Sequence, residues 1–116
     1  HLLGHWVRDK GTIPIARAIR MLTSRPAEVF GLSDRGTLAE GKPADVVVFD
    51  LETVGASELE RVHDLPAGQD RLISKASGIE AVIVNGVLLR EQNVDMIEAS
   101  TKELPGRLLR NGAAAG

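Results

Sequence analysis

The stretch GTLAEGKPADVVVFD, Gly36 to Asp50, decides how this chain is read. Two glycines and a proline fall within eight positions, and an unbroken apolar run follows at once. EGKPAD is a turn cluster, as is SDRG just before it, and between them Thr37–Leu38 has room for only a short strand. DVVVFD then puts four apolar residues, three of them valine, between turn signals. Such a run predicts a strand covered on both faces. Asp45 and Asp50 flank it and are expected to accept backbone N–H bonds in the turns. The glycines and Pro43 therefore set a tight corner that feeds the chain into a buried sheet.

Upstream of the corner the pattern is helical. Thr12 is placed to cap a helix with Pro14 in its first turn, where a missing N–H does no harm. Ile15, Ile19 and Leu22 form an apolar stripe, while Arg17 and Arg20 point elsewhere. The helix should stop before Pro26, because a residue preceding proline is pushed out of the α region. A short second helix, Pro26 to Phe30, follows, with Gly31 as its C′ residue. Downstream, residues 51–78 read as irregular, with a helical turn near Ser57–Arg61 and an ordered loop at HDLPAGQDR. Asn85–Gly86 lies between two apolar runs and predicts a type I′ hairpin joining strands at 79–84 and 87–91. The terminal NGAAAG has nothing to pack against and reads as a frayed tail.

The 116 residues are 43% hydrophobic but only 3% aromatic, so any core is mostly aliphatic. A formal charge of −2, with arginines spread along helical faces, gives no footprint for nucleic acid. No apolar run approaches the roughly 20 residues needed to span a bilayer, and no charged-then-apolar leader opens the chain. The absence of cysteine removes disulfides and thiolate chemistry and agrees with a reducing cytoplasm. The abrupt HLLGHW opening is simplest to understand as a break within a longer protein.

Candidate chemistry is sparse. His1 and His5 have the i, i+4 spacing of a metal-binding pair, but Gly4 weakens a helix there and no third ligand lies nearby. His63 adjoins Asp64, yet a loop histidine bonded to backbone is the commoner arrangement. Trp6 is expected to be buried against the first helix rather than to line a pocket. Glu58 and Glu60 cannot face each other on a helix. No phosphate loop, nucleophile elbow or dinucleotide fingerprint is present. The chain taken alone therefore contains no defensible active site.

LTSRPAEVFGLSDRGTLAEGKPADVVVFD closely resembles the C-terminal passage of the metal-dependent amidohydrolase superfamily. There a last barrel helix, a short helix and a strand lead from the catalytic barrel into a small β-domain, and GIEAVIVNG resembles the closing strands. LLGHWVRDKG, HDLPAGQDRL and LPGRLLRNG narrow the resemblance to the D-aminoacylase (N-acyl-D-amino-acid deacylase) branch. It runs from about Leu2 to Gly112. It implies an α+β fragment: residues 1–32 as the last loop and helices of a (β/α)8 barrel, 33–112 as the C-terminal part of a composite β-sandwich, and 113–116 as tail.

The same resemblance implies one or two zinc ions in the full-length enzyme, none held by this fragment. There a metal-bound water of lowered pKa attacks the amide of a small N-acyl amino acid or related substrate. The implied partner is the missing N-terminal barrel of the same protein, and a homo-oligomer is compatible with it. The H-x-H pair is absent and the eighth-strand aspartate falls before His1, so no catalytic or metal residue is carried over. His5, Trp6 and Arg8 are the candidates for pocket-rim contacts, because such barrels build their sites on the loops after the strands. Without its N-terminal strands, the fragment should leave strand 45–50 or the hairpin with unpaired edges and the Ile15–Ile19–Leu22 stripe bare. Two rival readings are another amidohydrolase (a hydantoinase, dihydroorotase or deaminase-like enzyme) and a free-standing, non-catalytic β-rich binding module.

Overall fold

The computed structural model describes residues 1–97 and 103–109; the expected tail at 113–116 lies outside them. The chain opens as a π-type helix, Leu2–Asp9, whose end is closed by the Lys10 N–H on the His5 carbonyl at 2.9 Å and the Gly11 N–H on the Val7 carbonyl at 3.1 Å. Helix α1, Ile15–Leu22, and helix α2, Ser24–Phe30, follow. Thr12 does not cap α1. Its Oγ1 instead donates to the Trp6 carbonyl at 3.2 Å, and Pro14 holds the cap position with φ −58° and ψ 140°. Proline's fixed φ suits that half-in place, and its carbonyl accepts the Ala18 N–H at 3.0 Å.

The break between the helices falls at Thr23. Its backbone leaves the helical region and its hydroxyl donates to the Ile19 carbonyl at 2.7 Å, a back-bond that competes with helix continuation. Pro26 then sits in the first turn of α2, where an N–H would be orphaned anyway. Gly31 ends α2 in the left-handed region at φ 68°, as its place after the last periodic residue predicts.

Small residues bring the two helices together. Ala18 is fully buried and Ala27 is 6% exposed. The corner at Gly36 closes on them: a Cβ there would lie 2.8 Å from the Ala27 Cβ and 2.9 Å from the Thr23 carbonyl. Outside this seam the helices are bare. Ile15, Met21, Leu22, Val29 and Phe30 are all exposed, Phe30 at 70%.

Eight short strands follow: β1 (Val46–Phe49), β2 (Gly55–Ala56), β3 (Glu60–Val62), β4 (Arg71–Ile73), β5 (Ala76–Ser77), β6 (Ile79–Val84), β7 (Val87–Glu91) and β8 (Val94–Asp95). The main sheet is antiparallel in the order β1-β6-β7-β8. Val46 faces Ile83 across β1–β6, and Val84 faces Val87 beside the β6–β7 turn. Asn85 and Gly86 make that turn with φ 47° and 81°, the pair of positive values a type I′ turn requires. Gln92 and Asn93 repeat the device at φ 45° and 66° and return the chain as β8.

Four expectations fail here, each for a local reason. Residues 51–78 are not irregular but form a long antiparallel arm, β2 on β5 and β3 on β4. Ser57–Arg61 is not helical, because Ser57 is drawn extended by bonds across the arm: its N–H to the Lys75 carbonyl at 2.8 Å, its Oγ to the Lys75 N–H at 2.9 Å. Thr37–Leu38 forms no strand; Gly36 bends the chain at φ 82° and Thr37 Oγ1 takes the Lys42 ammonium at 2.7 Å. Strand β1 is not covered on both faces. It lies at the edge of the sheet, with Val47 54% and Val48 46% exposed.

The exposure is general. The structure presents 8682 Å² of accessible surface, where a compact monomer of its 12.4 kDa would present about 6100 Å². Its radius of gyration is 16.5 Å, against about 13 to 14 Å for a compact domain of this length. The excess surface, on the order of 2500 Å², is what an obligate interface buries.

Candidate functional site

Two clusters organise the molecule, and the first is a joint. The opening π-helix meets the turn Asp50–Val54 through Gly4, Val7 and Arg8. Arg8 Nη1 donates to the carbonyls of Val54 at 2.8 Å, Glu52 at 3.1 Å and Leu51 at 3.4 Å, while its Nε holds Asp9 at 2.8 Å. Gly4 lies under the same oxygen; a Cβ there would stand 2.7 Å from the Val54 carbonyl. Val7 and Val54 are both buried at the contact. The turn is braced internally by Asp50, whose carboxylate accepts the Glu52 N–H at 2.9 Å and the Thr53 hydroxyl at 3.0 Å. That is the local role expected of it.

On the outer side of the π-helix, His1 and His5 stack with ring centroids 4.7 Å apart and planes 15° from parallel. The Trp6 ring stands edge-on to His5 at 5.0 Å. Trp6 is 43% exposed, so the expected burial against α1 does not occur. The π-helix directs its ring toward the two imidazoles, and only its carbonyl serves the following turn, accepting from Thr12 N–H at 3.1 Å. Of the three candidate rim residues, His5 and Trp6 thus share one aromatic cluster, and Arg8 is engaged by main-chain carbonyls.

The second cluster centres on Arg35, whose side chain is 7% exposed. Its Nη1 donates to Asp34 Oδ2 at 3.0 Å and its Nη2 to Asn85 Oδ1 at 3.1 Å. Its Nε lies 2.7 Å from Asp45 Oδ2, an ion pair rather than an aligned hydrogen bond. Asp45 Oδ1 also accepts the Asn85 N–H at 2.7 Å. Asn85 Nδ2 in turn donates to the Pro105 carbonyl. Asp45 therefore does accept a turn N–H, but from a hairpin 40 residues on. No sequence motif singles out Arg35, and Asn85 reads in the sequence only as a turn former. An arginine inside a turn cluster, where a solvated side chain would be no advantage, was the signal available.

His63 follows the commoner pattern: Nδ1 lies 3.4 Å from the Gly68 carbonyl. Its neighbour Asp64 is taken instead by Arg71, Nε at 2.7 Å and Nη2 at 2.6 Å. That forked hydrogen bond holds the Asp64 carboxyl below its ordinary value. A groove of about 530 Å³ between α1 and α2 is lined by Ala16, Arg17, Arg20, Met21 and Arg25. Glu28 meets two of its arginines, Arg25 at 3.2 Å and Arg20 at 3.6 Å.

The described residues do not fit a metal. None brings together three or more His, Asp or Glu side chains able to hold one, and His1 and His5 turn ring faces rather than nitrogens toward each other. No helix among them is long and apolar enough to cross a membrane.

Comparison with known proteins places this geometry. The model of the amidohydrolase family matches residues 1–90. N-acyl-D-glutamate deacylase from Alcaligenes xylosoxydans xylosoxydans is 40% identical over 113 residues, 97% of this chain and 20% of that protein. D-aminoacylase from the same organism is 35% identical over the same length, again 97% of this chain and 20% of the relative. The crystal structure of a D-aminoacylase, described as defining a novel subset of amidohydrolases, superposes with a TM-score of 0.59 at 28% identity, over 97% of this chain and 19% of that one. The chain thus spans about a fifth of the length of the curated relatives it matches.

Proposed function

Because the chain belongs to the amidohydrolase family, we propose that it is the C-terminal part of an enzyme that hydrolyses N-acyl-D-amino acids to a carboxylate and a D-amino acid. One observation carries the reading: similarity to N-acyl-D-glutamate deacylase extends over 97% of the chain, through the loop, the arm and the closing hairpin alike. Residues 1–32 are the last loop and helices of the catalytic barrel, and 33–112 the C-terminal part of a composite β-sandwich. The rest of the polypeptide covers the bare faces of α1, α2 and β1, which accounts for the excess exposed surface.

In this reading zinc, one or two ions, is held by residues outside this chain. The chain's contribution is architectural and local. The π-helix carries His5 and Trp6 to the mouth of the barrel, where aromatic faces contact the substrate, and Arg8 fixes that segment to the β part. The test is the protein made from its whole coding frame, assayed with matched N-acyl-D and N-acyl-L amino acids and with dihydroorotate. Release of amino acid from the D series alone supports the reading. Turnover of dihydroorotate without deacylation overturns it in favour of another amidohydrolase activity.

A further inference from the structure

We propose that Asn85–Gly86 is a spontaneous deamidation site, held unmodified by the cluster around Arg35, and that its conversion to aspartate releases residues 103–109 from the hairpin. The chemistry needs no external catalyst. The Gly86 nitrogen attacks the Asn85 side-chain carbonyl carbon, the Cγ–Nδ2 bond breaks, and ammonia leaves with the glycine's amide proton. Water then opens the resulting succinimide to aspartate or isoaspartate. Glycine at the following position leaves that nitrogen sterically open, since a Cβ at Gly86 would meet nothing within 4 Å.

Four contacts oppose ring closure. The Gly86 N–H is occupied by the Ala44 carbonyl at 2.9 Å. The Asn85 N–H is held by Asp45 at 2.7 Å. The amide itself is fixed at both ends, its Oδ1 by Arg35 at 3.1 Å and its Nδ2 by the Pro105 carbonyl. The orientation of that amide follows from chemistry: guanidinium only donates and a carbonyl only accepts, so a flipped amide would satisfy neither.

The same complementarity makes the site a latch. An aspartate at 85 keeps the left-handed backbone that the turn needs and still accepts from Arg35. It loses the Nδ2–H donor and sets a carboxylate oxygen against the Pro105 carbonyl. Two acceptors then face each other, and the bond from the hairpin turn to the C-terminal segment is gone.

Peptide mapping of the full-length protein during incubation at mildly alkaline pH tests the first half. Conversion at Asn85 should be slower in the folded protein than in denaturant by about tenfold or more, the population equivalent of a net hydrogen bond or two. Asp45→Asn should narrow that gap. Equal rates folded and denatured would overturn the proposal. Hydrogen exchange tests the second half: Asn85→Asp should raise exchange across 103–109 by about tenfold, again one net hydrogen bond, with 79–91 still protected. Asn85→Gly, which keeps the turn and deletes both amide contacts, should loosen the same segment. Unchanged exchange across 103–109 in both variants would overturn the latch.

Discussion

Arg8 reaches across 46 positions of chain to place Nη1 2.8 Å from the Val54 carbonyl. The helical opening of the molecule is thereby fastened to the turn that follows β1. Gly4 allows the approach beside it, since a Cβ there would come within 2.7 Å of the same oxygen and 3.4 Å of Arg8 Nη2. Removing Arg8 leaves the Leu51, Glu52 and Val54 carbonyls short of a charged donor. Arg8→Ala should therefore destabilise the full-length protein by about 1–3 kcal/mol. Gly4→Ala, by overpacking, should cost a similar 1–3 kcal/mol or so. Urea unfolding of the two variants checks both values, and because they act on one contact the double variant should fall short of the sum.

Arg35 carries a heavier consequence. Its guanidinium is nearly enclosed and meets two carboxylates, those of Asp34 and Asp45. Arg35→Met withdraws the positive charge from both. The expected loss is about 3–5 kcal/mol, the cost of breaking a buried pair from one side. Thermal melts of the full-length protein should show it, with Arg35→Lys intermediate because an ammonium lacks the planar fork.

The glycines of the corner and joint should rank by what lies beside them. Gly78 (φ 65°) would place a Cβ 2.4 Å from the Val54 N, and Gly36 (φ 82°) one 2.8 Å from the Ala27 Cβ, whereas Gly41 (φ 79°) has open space. Gly41→Ala should cost only the left-handed penalty of about 1–2 kcal/mol. Gly36→Ala and then Gly78→Ala should cost progressively more, read as denaturation midpoints in series.

Acid should open the arm. Arg71 depresses the Asp64 pKa below its ordinary 3.8 through a forked hydrogen bond. A carboxyl whose folded value is depressed favours folding above its unfolded value and loses that contribution as pH falls through the folded one. Hydrogen exchange across 60–73 should therefore accelerate below about pH 4, and Asp64→Asn should remove that dependence. The pair is exposed, so the effect should stay local to β3–β4.

What could be read in the sequence follows from how local each determinant is. The Asn85–Gly86 turn, its flanking strands and the Gly31 helix stop depend on backbone conformations that two residues dictate, and all three stand where the spacing put them. The arm at 55–77 is not legible in the sequence, because its register rests on bonds between Ser57 and residues 74–75, which no periodicity records. The valine run of β1 reads as a strand covered on both faces, because four apolar residues in a row do not record that the strand lies at the edge of its sheet. The Arg35 cluster, joining residues up to 71 positions apart, leaves only an arginine in a turn as its trace.

Splitting the full-length protein tests the central claim most directly. Residues 1–116 and the remainder of the full-length protein would be produced separately, then mixed and assayed on an N-acyl-D-amino acid. If the chain is the closing part of a composite deacylase, it aggregates alone, the remainder is inactive alone, and hydrolysis appears in a one-to-one complex. A monomeric, cooperatively melting 116-residue chain beside a remainder that is fully active without it would contradict the account.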